Sequence, residues 1–68
     1  MRHAIICKND GEKVYVVRPR MKKSLYDYQI SAVFTPEKKC LMSEKDARNL
    51  AEYIESNNIF QDVRVVSL

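Results

Sequence analysis

The first apolar pattern lies at the beginning of the chain and predicts a central β-strand over residues 3–7. The segment divides between two faces: His3, Ile5 and Cys7 on one, Ala4 and Ile6 on the other. Because both faces are largely apolar, we expect this strand to have neighbours on both sides.

An Asp10-Gly11 pair follows and separates this strand from a second β-rich run, residues 13–18, which contains three valines. Asp and Gly tolerate the positive φ of tight hairpin turns, so the pair predicts a β-hairpin. Pro19 ends the second strand, and the cation-rich residues that follow predict a loop or a wide connection.

A third strand is predicted over residues 28–35, where polar and apolar positions alternate. The expected core face carries Tyr28, Ile30, Ala32 and Phe34, and the other face carries Gln29, Ser31, Val33 and Thr35. Residues 35–39 predict a turn with Pro36 at its second position. Residues 40–42 are expected to form a short further strand.

The second half of the chain contains the one helical pattern. Ser43 is a helix-capping residue, and Glu44 and Asp46 favour the positive end of the helix dipole. Apolar residues then recur at helical spacing, in the order Ala47, Leu50, Ala51 and Ile54. The pattern predicts an amphipathic helix that runs to about Asn57 and stops at the Asn57-Asn58 pair.

A final strand is predicted over residues 63–68, with Val63 and Val65 on one face and Val66 and Leu68 on the other. Ile59 and Phe60 precede it and are expected to pack under the sheet edge. The element order is β-β-β-(β)-α-β. We therefore predict an α+β fold in which one helix covers one face of an antiparallel sheet of four to five strands. Residues 1–68 are expected to form a single domain, with the last strand beside the first.

Size and composition make an enzyme an unfavourable hypothesis. The chain has 68 residues, of which 46% are hydrophobic and 31% are charged. That balance is typical of a globular domain, but so short a chain leaves little core to spare for a substrate cleft. The first residues contain an apolar run of only four, too short for a signal peptide or a membrane span. We expect a cytoplasmic protein without membrane contact.

Candidate groups for catalysis or metal binding are few. His3 is the single histidine, and it is the one available base for the serines. Cys7 and Cys40 are far apart in sequence and do not form a metal-ligand motif, so we expect buried free thiols. The carboxylates of the predicted helix fall on its solvated side. No catalytic, metal or cofactor site is predicted, and no cofactor is expected.

The net charge of +3 is unevenly distributed. Residues 1–25 hold seven Lys and Arg against two acids, whereas residues 26–68 hold five against seven. A dense cluster follows the second strand, and two tyrosines lie close behind it. The predicted partner-binding residues are Arg18, Arg20, Lys22, Lys23, Tyr26 and Tyr28.

Three interpretations of this basic segment remain open. Its cations could neutralise nucleic-acid phosphates while the tyrosines stack on bases. They could instead contact an acidic protein surface. The segment could also serve solubility alone.

The sheet itself offers a second candidate surface, because one helix covers only one face. Val33 lies on the uncovered face, and Tyr15 and Val17 would extend an apolar patch there if they point the same way. Exposed apolar patches on small proteins usually mark interfaces. The outer strands could also accept a partner strand, and a homodimer would bury the same surface.

A family resemblance appears over residues 28–68. The strand 28–35, the capped segment 42–47, the Leu50-Ala51-Glu52-Tyr53 stretch and the Val-rich residues 60–66 resemble small phage-encoded accessory proteins. The pattern is most similar to T7-type phage inhibitors of host RNA polymerase. The resemblance implies a host-takeover or anti-defence protein, but no functional residue transfers position by position.

Together these observations predict a non-enzymatic binding protein. The first hypothesis is a phage-type modulator or inhibitor of a host protein or nucleoprotein complex. The alternative is a nucleic-acid-binding domain that uses residues 18–23, whose affinity would fall with salt and weaken on Arg20→Ala plus Lys22→Ala. A structural homodimer is the third hypothesis.

Overall fold

A computed structural model describes residues 2–19 and 30–68 of the chain. Four strands and one α-helix are present in these ranges: β1 (His3–Asn9), β2 (Glu12–Val16), β3 (Ala32–Val33), α1 (Glu44–Ser56) and β4 (Gln61–Ser67). The strands form one antiparallel sheet in the order β3-β2-β1-β4. The predicted α+β class is confirmed, as is the position of the last strand beside the first.

The hairpin between β1 and β2 is closed by a two-residue turn. Asn9 pairs with Glu12, and Asp10 and Gly11 between them have φ values of 52° and 82°. Both residues occupy the left-handed region, which glycine adopts freely and aspartate tolerates. The turn therefore fixes the register in which Ile6 lies opposite Tyr15.

A β-bulge interrupts the pairing of β4 with β1. Ile6 pairs with Arg64, but Lys8 pairs with Gln61, so β4 contains one extra residue between the two pairs. Asp62 within this interval has a φ of 51°. A bulge of this kind strengthens the local twist and disturbs the outer edge of a strand. The final strand begins two residues earlier than the sequence predicted.

The third strand is much shorter than the predicted 28–35. Residues 28–29 lie outside the described ranges, and β3 itself comprises Ala32 and Val33, which pair with Val16 and Tyr15. The chain bends at Phe34 and Thr35, before Pro36. The prediction that Phe34 lies in the core is wrong, because this residue is 69% exposed. The chain leaves the sheet after Val33, so the alternation of buried and exposed positions does not continue to Phe34.

The prediction of a strand at residues 40–42 is also wrong, because this part of the chain forms a 3-10 turn and an isolated β-bridge. Lys38–Cys40 form a single 3-10 turn, in which the amide of Cys40 donates to the carbonyl of Glu37. Met42 then makes one isolated bridge, exchanging two backbone hydrogen bonds of 2.9 Å with His3. The segment meets the beginning of β1 but is too short to extend as a strand.

The helix begins where the sequence predicted. The side chain of Ser43 accepts a hydrogen bond of 3.2 Å from the amide of Asp46, which satisfies one of the free donors of the first turn. The helix ends at the two asparagines: the side chain of Asn57 donates to the carbonyl of Tyr53, and Asn58 has a φ of 52°. The left-handed stop is thus confirmed.

The core lies between α1 and one face of the sheet. Its buried members are Ile5, Cys7, Val14, Val16, Met42, Ala47, Leu50, Ala51 and Ile54. Ile59 and Phe60 pack against this cluster together with Val63 and Val65, as predicted. No polar or charged residue is buried within residues 2–19 and 30–68. The stability of the fold therefore depends on apolar contact between the helix and this face, which we call the covered face.

Candidate binding surface on the open face of the sheet

The face of the sheet turned away from α1 is formed by the alternate residues of the same strands; we call it the open face. One row of register partners crosses all four strands: Val33 on β3, Tyr15 on β2, Ile6 on β1 and Arg64 on β4. Because paired residues in an antiparallel sheet point to the same side, these four side chains share the open face.

The middle of the open face is apolar. Ile6, Tyr15 and Val33 are all half-buried. Ala4 and Val66 pair one row further along, where Ala4 is fully buried. Val17 continues the pattern beyond β2, where its amide donates to the carbonyl of Ser31 at 2.8 Å. The predicted apolar patch of Tyr15, Val17 and Val33 therefore has a structural basis.

Exposed cations border this apolar centre. Lys8 and Lys13 are direct partners in the hairpin and lie one row from Ile6 and Tyr15. Arg64 closes the central row at the edge strand. Strand alternation places Arg2 on the same side at the beginning of β1, where its carbonyl accepts from the amide of Leu68 at 3.0 Å. Four strands at about 4.8 Å spacing make the surface roughly 14 Å wide.

Two contacts of these cations are defined. The ammonium of Lys13 lies 5.6 Å from the centroid of the Tyr15 ring, a cation–π arrangement. The ammonium of Lys8 lies 3.8 Å from a carboxylate oxygen of Asp62. Both partners of that ion pair are largely exposed, so it contributes little to stability and leaves Lys8 able to exchange partners.

The outer surface of α1 has the opposite character. It carries four acids against two cations: Glu44, Asp46, Glu52 and Glu55 against Lys45 and Arg48. Arg48 donates a hydrogen bond of 3.0 Å to Glu44. This hydrogen bond, the charge of Arg48 and the charge of His3 hold the pKa of Glu44 below its usual value. The anionic helix surface and the cationic open face lie on opposite sides of the sheet.

The cysteines do not extend the candidate surface. Both side chains are buried and free, and burial raises the pKa of the Cys7 thiol to about 11. A protonated, enclosed thiol is a poor nucleophile. Over residues 2–19 and 30–68, no group of three His, Cys, Asp or Glu side chains could hold a metal ion. In the same ranges, no helix is long and apolar enough to cross a bilayer.

Only one of the predicted partner-binding residues falls in the described part of the chain. Arg18 is exposed, and its amide donates to the carbonyl of Lys39 at 2.8 Å, so its backbone is anchored to the 3-10 turn. The other five, Arg20, Lys22, Lys23, Tyr26 and Tyr28, lie outside the described residues. The basic segment as a binding site therefore stays a prediction.

Sequence reasoning missed the cationic border, because its members are far apart in the chain. In the sequence, Arg2, Lys8 and Lys13 contribute to the basic first third of the chain without any sign that they share a surface. The hairpin could have revealed part of it, since Lys8 and Lys13 are equidistant from the Asp10-Gly11 turn. Arg64 carried no such signal, because its place depends on the pairing of β4 with β1.

The chain matches no protein-family model, and neither a curated protein nor a solved structure matches it. The resemblance to small phage-encoded proteins therefore stays a prediction.

Proposed function

We propose that this chain is a non-enzymatic binding protein that contacts a macromolecular partner through the open face of its sheet. The observation that carries the proposal is the row Val33–Tyr15–Ile6, an apolar strip on the face away from the helix, which exposed cations such as Arg64 border. A partner that excludes water from half-buried apolar side chains lowers the free energy of the complex, which favours binding.

The distribution of reactive groups supports a role in binding. Cys7 is enclosed, and the carboxylates on α1 lie on its exposed side. The depression between the end of α1 and the beginning of β4 is lined by Glu55, Asn58, Phe60, Gln61, Asp62 and Val63. This lining lacks a nucleophile with an adjacent base, the arrangement that covalent catalysis uses.

The positive charge around the open face favours partners with a negatively charged surface. A surface bordered by lysines and arginines favours an anionic partner and accelerates the encounter with it. A host protein or nucleoprotein complex, the partner class implied by the phage resemblance, satisfies this requirement where it presents acidic groups or phosphates.

Site-specific photo-cross-linking tests the proposal on the full chain. A benzophenone amino acid replaces Tyr15 at the centre of the open face and, in a matched variant, Glu52 on the outer surface of α1. Both variants are irradiated in extract of the cells that naturally contain the protein. We expect a discrete cross-linked product from position 15 and none of comparable yield from position 52.

Nuclease digestion of the product then identifies its chemical class. A product from position 15 that nuclease shortens contains nucleic acid, whereas a nuclease-resistant product larger than the chain itself contains a protein, and either result supports a macromolecular partner on the open face. Equal products from both positions, or products from position 52 alone, would show that partners contact the protein elsewhere.

A further inference from the structure

We propose that the open face binds a single strand of nucleic acid, with phosphates on its cationic border and bases against its apolar centre. This inference rests on the proposed function and names the partner class for the same surface. It concerns the four strands of the sheet, a different location from the basic segment at residues 18–23.

The border has the charge that a phosphate backbone requires. Arg2, Lys8, Lys13 and Arg64 are exposed on this side, and the register brings one acid, Asp62, near Lys8. Cations from three parts of the sequence thus surround one surface. Because phosphate contacts release condensed counterions, such a surface would bind polyanions with a strong dependence on salt.

The centre of the face has the side chains that unpaired bases require. Tyr15 lies between Ile6 and Val33 in the central row, so the one aromatic ring of this row has apolar neighbours on both adjacent strands. Bases stack on aromatic rings irrespective of sequence. A base on this ring would bring its phosphate within range of the Lys13 side chain, whose ammonium already lies against the ring.

The shape of the surface favours a single strand over a duplex. In the described residues, α1 packs on the opposite face, and the strands present side chains rather than a projecting element. Reading a duplex requires a helix or a β-ribbon that enters a groove. An open sheet can instead contact bases that are already unstacked.

Composition and size favour nucleic acid over an acidic protein. Lysine is depleted in protein–protein interfaces, whereas Lys8 and Lys13 form a direct pair here. A sheet about 14 Å wide with strands of roughly 20 Å offers on the order of 300 Å². A standard protein interface buries about 800 Å² on each partner. The available area matches a few nucleotides better.

Fluorescence anisotropy of the full chain tests the inference. The probes are fluorescein-labelled 12-mers of oligo(dT) and oligo(U), a 12-base-pair duplex and a poly-glutamate peptide. We expect the single strands to bind at least about tenfold more tightly than the duplex or the peptide. We also expect Tyr15→Ala to weaken single-strand binding about tenfold, the loss of one stacked base.

The charge variants separate a defined surface from net charge. Lys13→Ala plus Arg64→Ala should weaken single-strand binding about tenfold and reduce the slope of log K against log salt by about 1.4, two phosphate contacts. The matched control is Lys38→Ala plus Lys45→Ala, which removes two cations outside the open face. The control should lose less than about twofold. Circular dichroism confirms that each variant is folded.

Four results would overturn the inference. Duplex binding equal to single-strand binding, with Tyr15→Ala neutral, would indicate contact through net charge alone. An equal loss in the control pair would do the same. If the open-face variants lose poly-glutamate binding but no nucleic-acid binding, the surface serves an acidic polypeptide, so the proposed function holds while this inference fails. If no probe responds to these variants, this inference fails, and the cross-linking at positions 15 and 52 decides the proposed function separately.

Discussion

The two faces of the sheet use alternate residues of the same strands and differ in the burial and the charge of most of their side chains. Ile5 and Cys7 on the covered face are fully buried, whereas Ile6 between them is half-buried on the open face. Within residues 2–19 and 30–68, the buried side chains of the covered face are all apolar, whereas exposed cations border the open face. The burial of the covered face therefore accounts for the stability of the fold, and the open face is the surface to which we assign the proposed binding.

The largest effect should come from removing the same atoms on the two sides of the sheet. Ile54→Ala deletes a fully buried side chain of α1 and should lower the free energy of unfolding by about 3 to 4 kcal/mol. Ile6→Ala makes the identical deletion on the open face, where water already reaches the side chain, and should cost about 1 kcal/mol. Urea denaturation followed by circular dichroism measures both.

A fold of this size has a free energy of unfolding of only about 3 to 10 kcal/mol, so Ile54→Ala could fail to fold. Ile54→Val then serves as the milder variant, with an expected loss of about 1 kcal/mol. Equal losses at Ile54 and Ile6 in the alanine pair would contradict the assignment of stability to the covered face.

The next effect concerns Cys7 on the covered face at high pH. Burial raises the pKa of its thiol from 9.0 to about 11, so the thiolate favours the unfolded chain. The stabilisation is fully present below pH 9 and is lost as pH rises through 11. A shift of this size corresponds to roughly 2 to 3 kcal/mol.

The measurement is the free energy of unfolding of the wild-type protein minus that of Cys7→Ala, between pH 8 and 11. Other groups titrate equally in both proteins and cancel. We expect the difference to decrease steadily above pH 9. A constant difference would show that the thiol is not enclosed in solution.

A smaller effect should follow from loosening the helix that covers the core. Ser43→Ala removes the hydrogen bond to the amide of Asp46 and should lower the free energy of unfolding by about 1 kcal/mol. Ser56→Ala is the control, because Ser56 lies in the last turn and should change stability by less than about 0.5 kcal/mol. Thermal unfolding of the two variants gives the comparison. Indistinguishable unfolding curves for the two variants would show that the Ser43 cap does not contribute to the stability of the fold.

The smallest effect is expected for a cation of the open face. Lys8→Ala breaks an exposed ion pair with Asp62 and should change the free energy of unfolding by less than about 0.5 kcal/mol. Chemical denaturation at low and moderate salt measures the change. A loss above 1 kcal/mol would show that this cation has a structural role, which would weaken the contrast between the faces.

Local patterns were sufficient to predict most elements of the fold. The Asp10-Gly11 turn, the Ser43 cap and the Asn58 stop are all present, because each depends on the φ preference or hydrogen-bonding group of the residue itself. Periodicity also predicted the buried stripe of α1 and placed Ile5 and Cys7 on the same face of β1, without indicating which face the helix covers. Such features need no information from distant parts of the chain.

Patterns were insufficient where a segment's structure depends on its neighbours. In the sequence, polar and apolar residues alternate through Phe34, but the strand ends at Val33. Residues 40–42 have a strand-forming composition, but only Met42 makes a β-bridge. Its partner in this bridge is His3, at the beginning of β1. An extended segment becomes a strand only where another strand pairs with it, and a single sequence does not show which segments pair.

Local sequence patterns specify the amphipathic helix, the antiparallel sheet and the basic surplus in the first third of the chain. The row that joins Arg64 to Ile6 and Tyr15, with Lys8 and Lys13 beside it, is visible only once the strands are paired. The difference arises from the sequence separation of the interacting residues, because turns, caps and periodicity depend on residues only a few positions apart. Arg64 reaches this row through hydrogen bonds between β4 and β1, whose paired residues lie more than fifty positions apart in sequence.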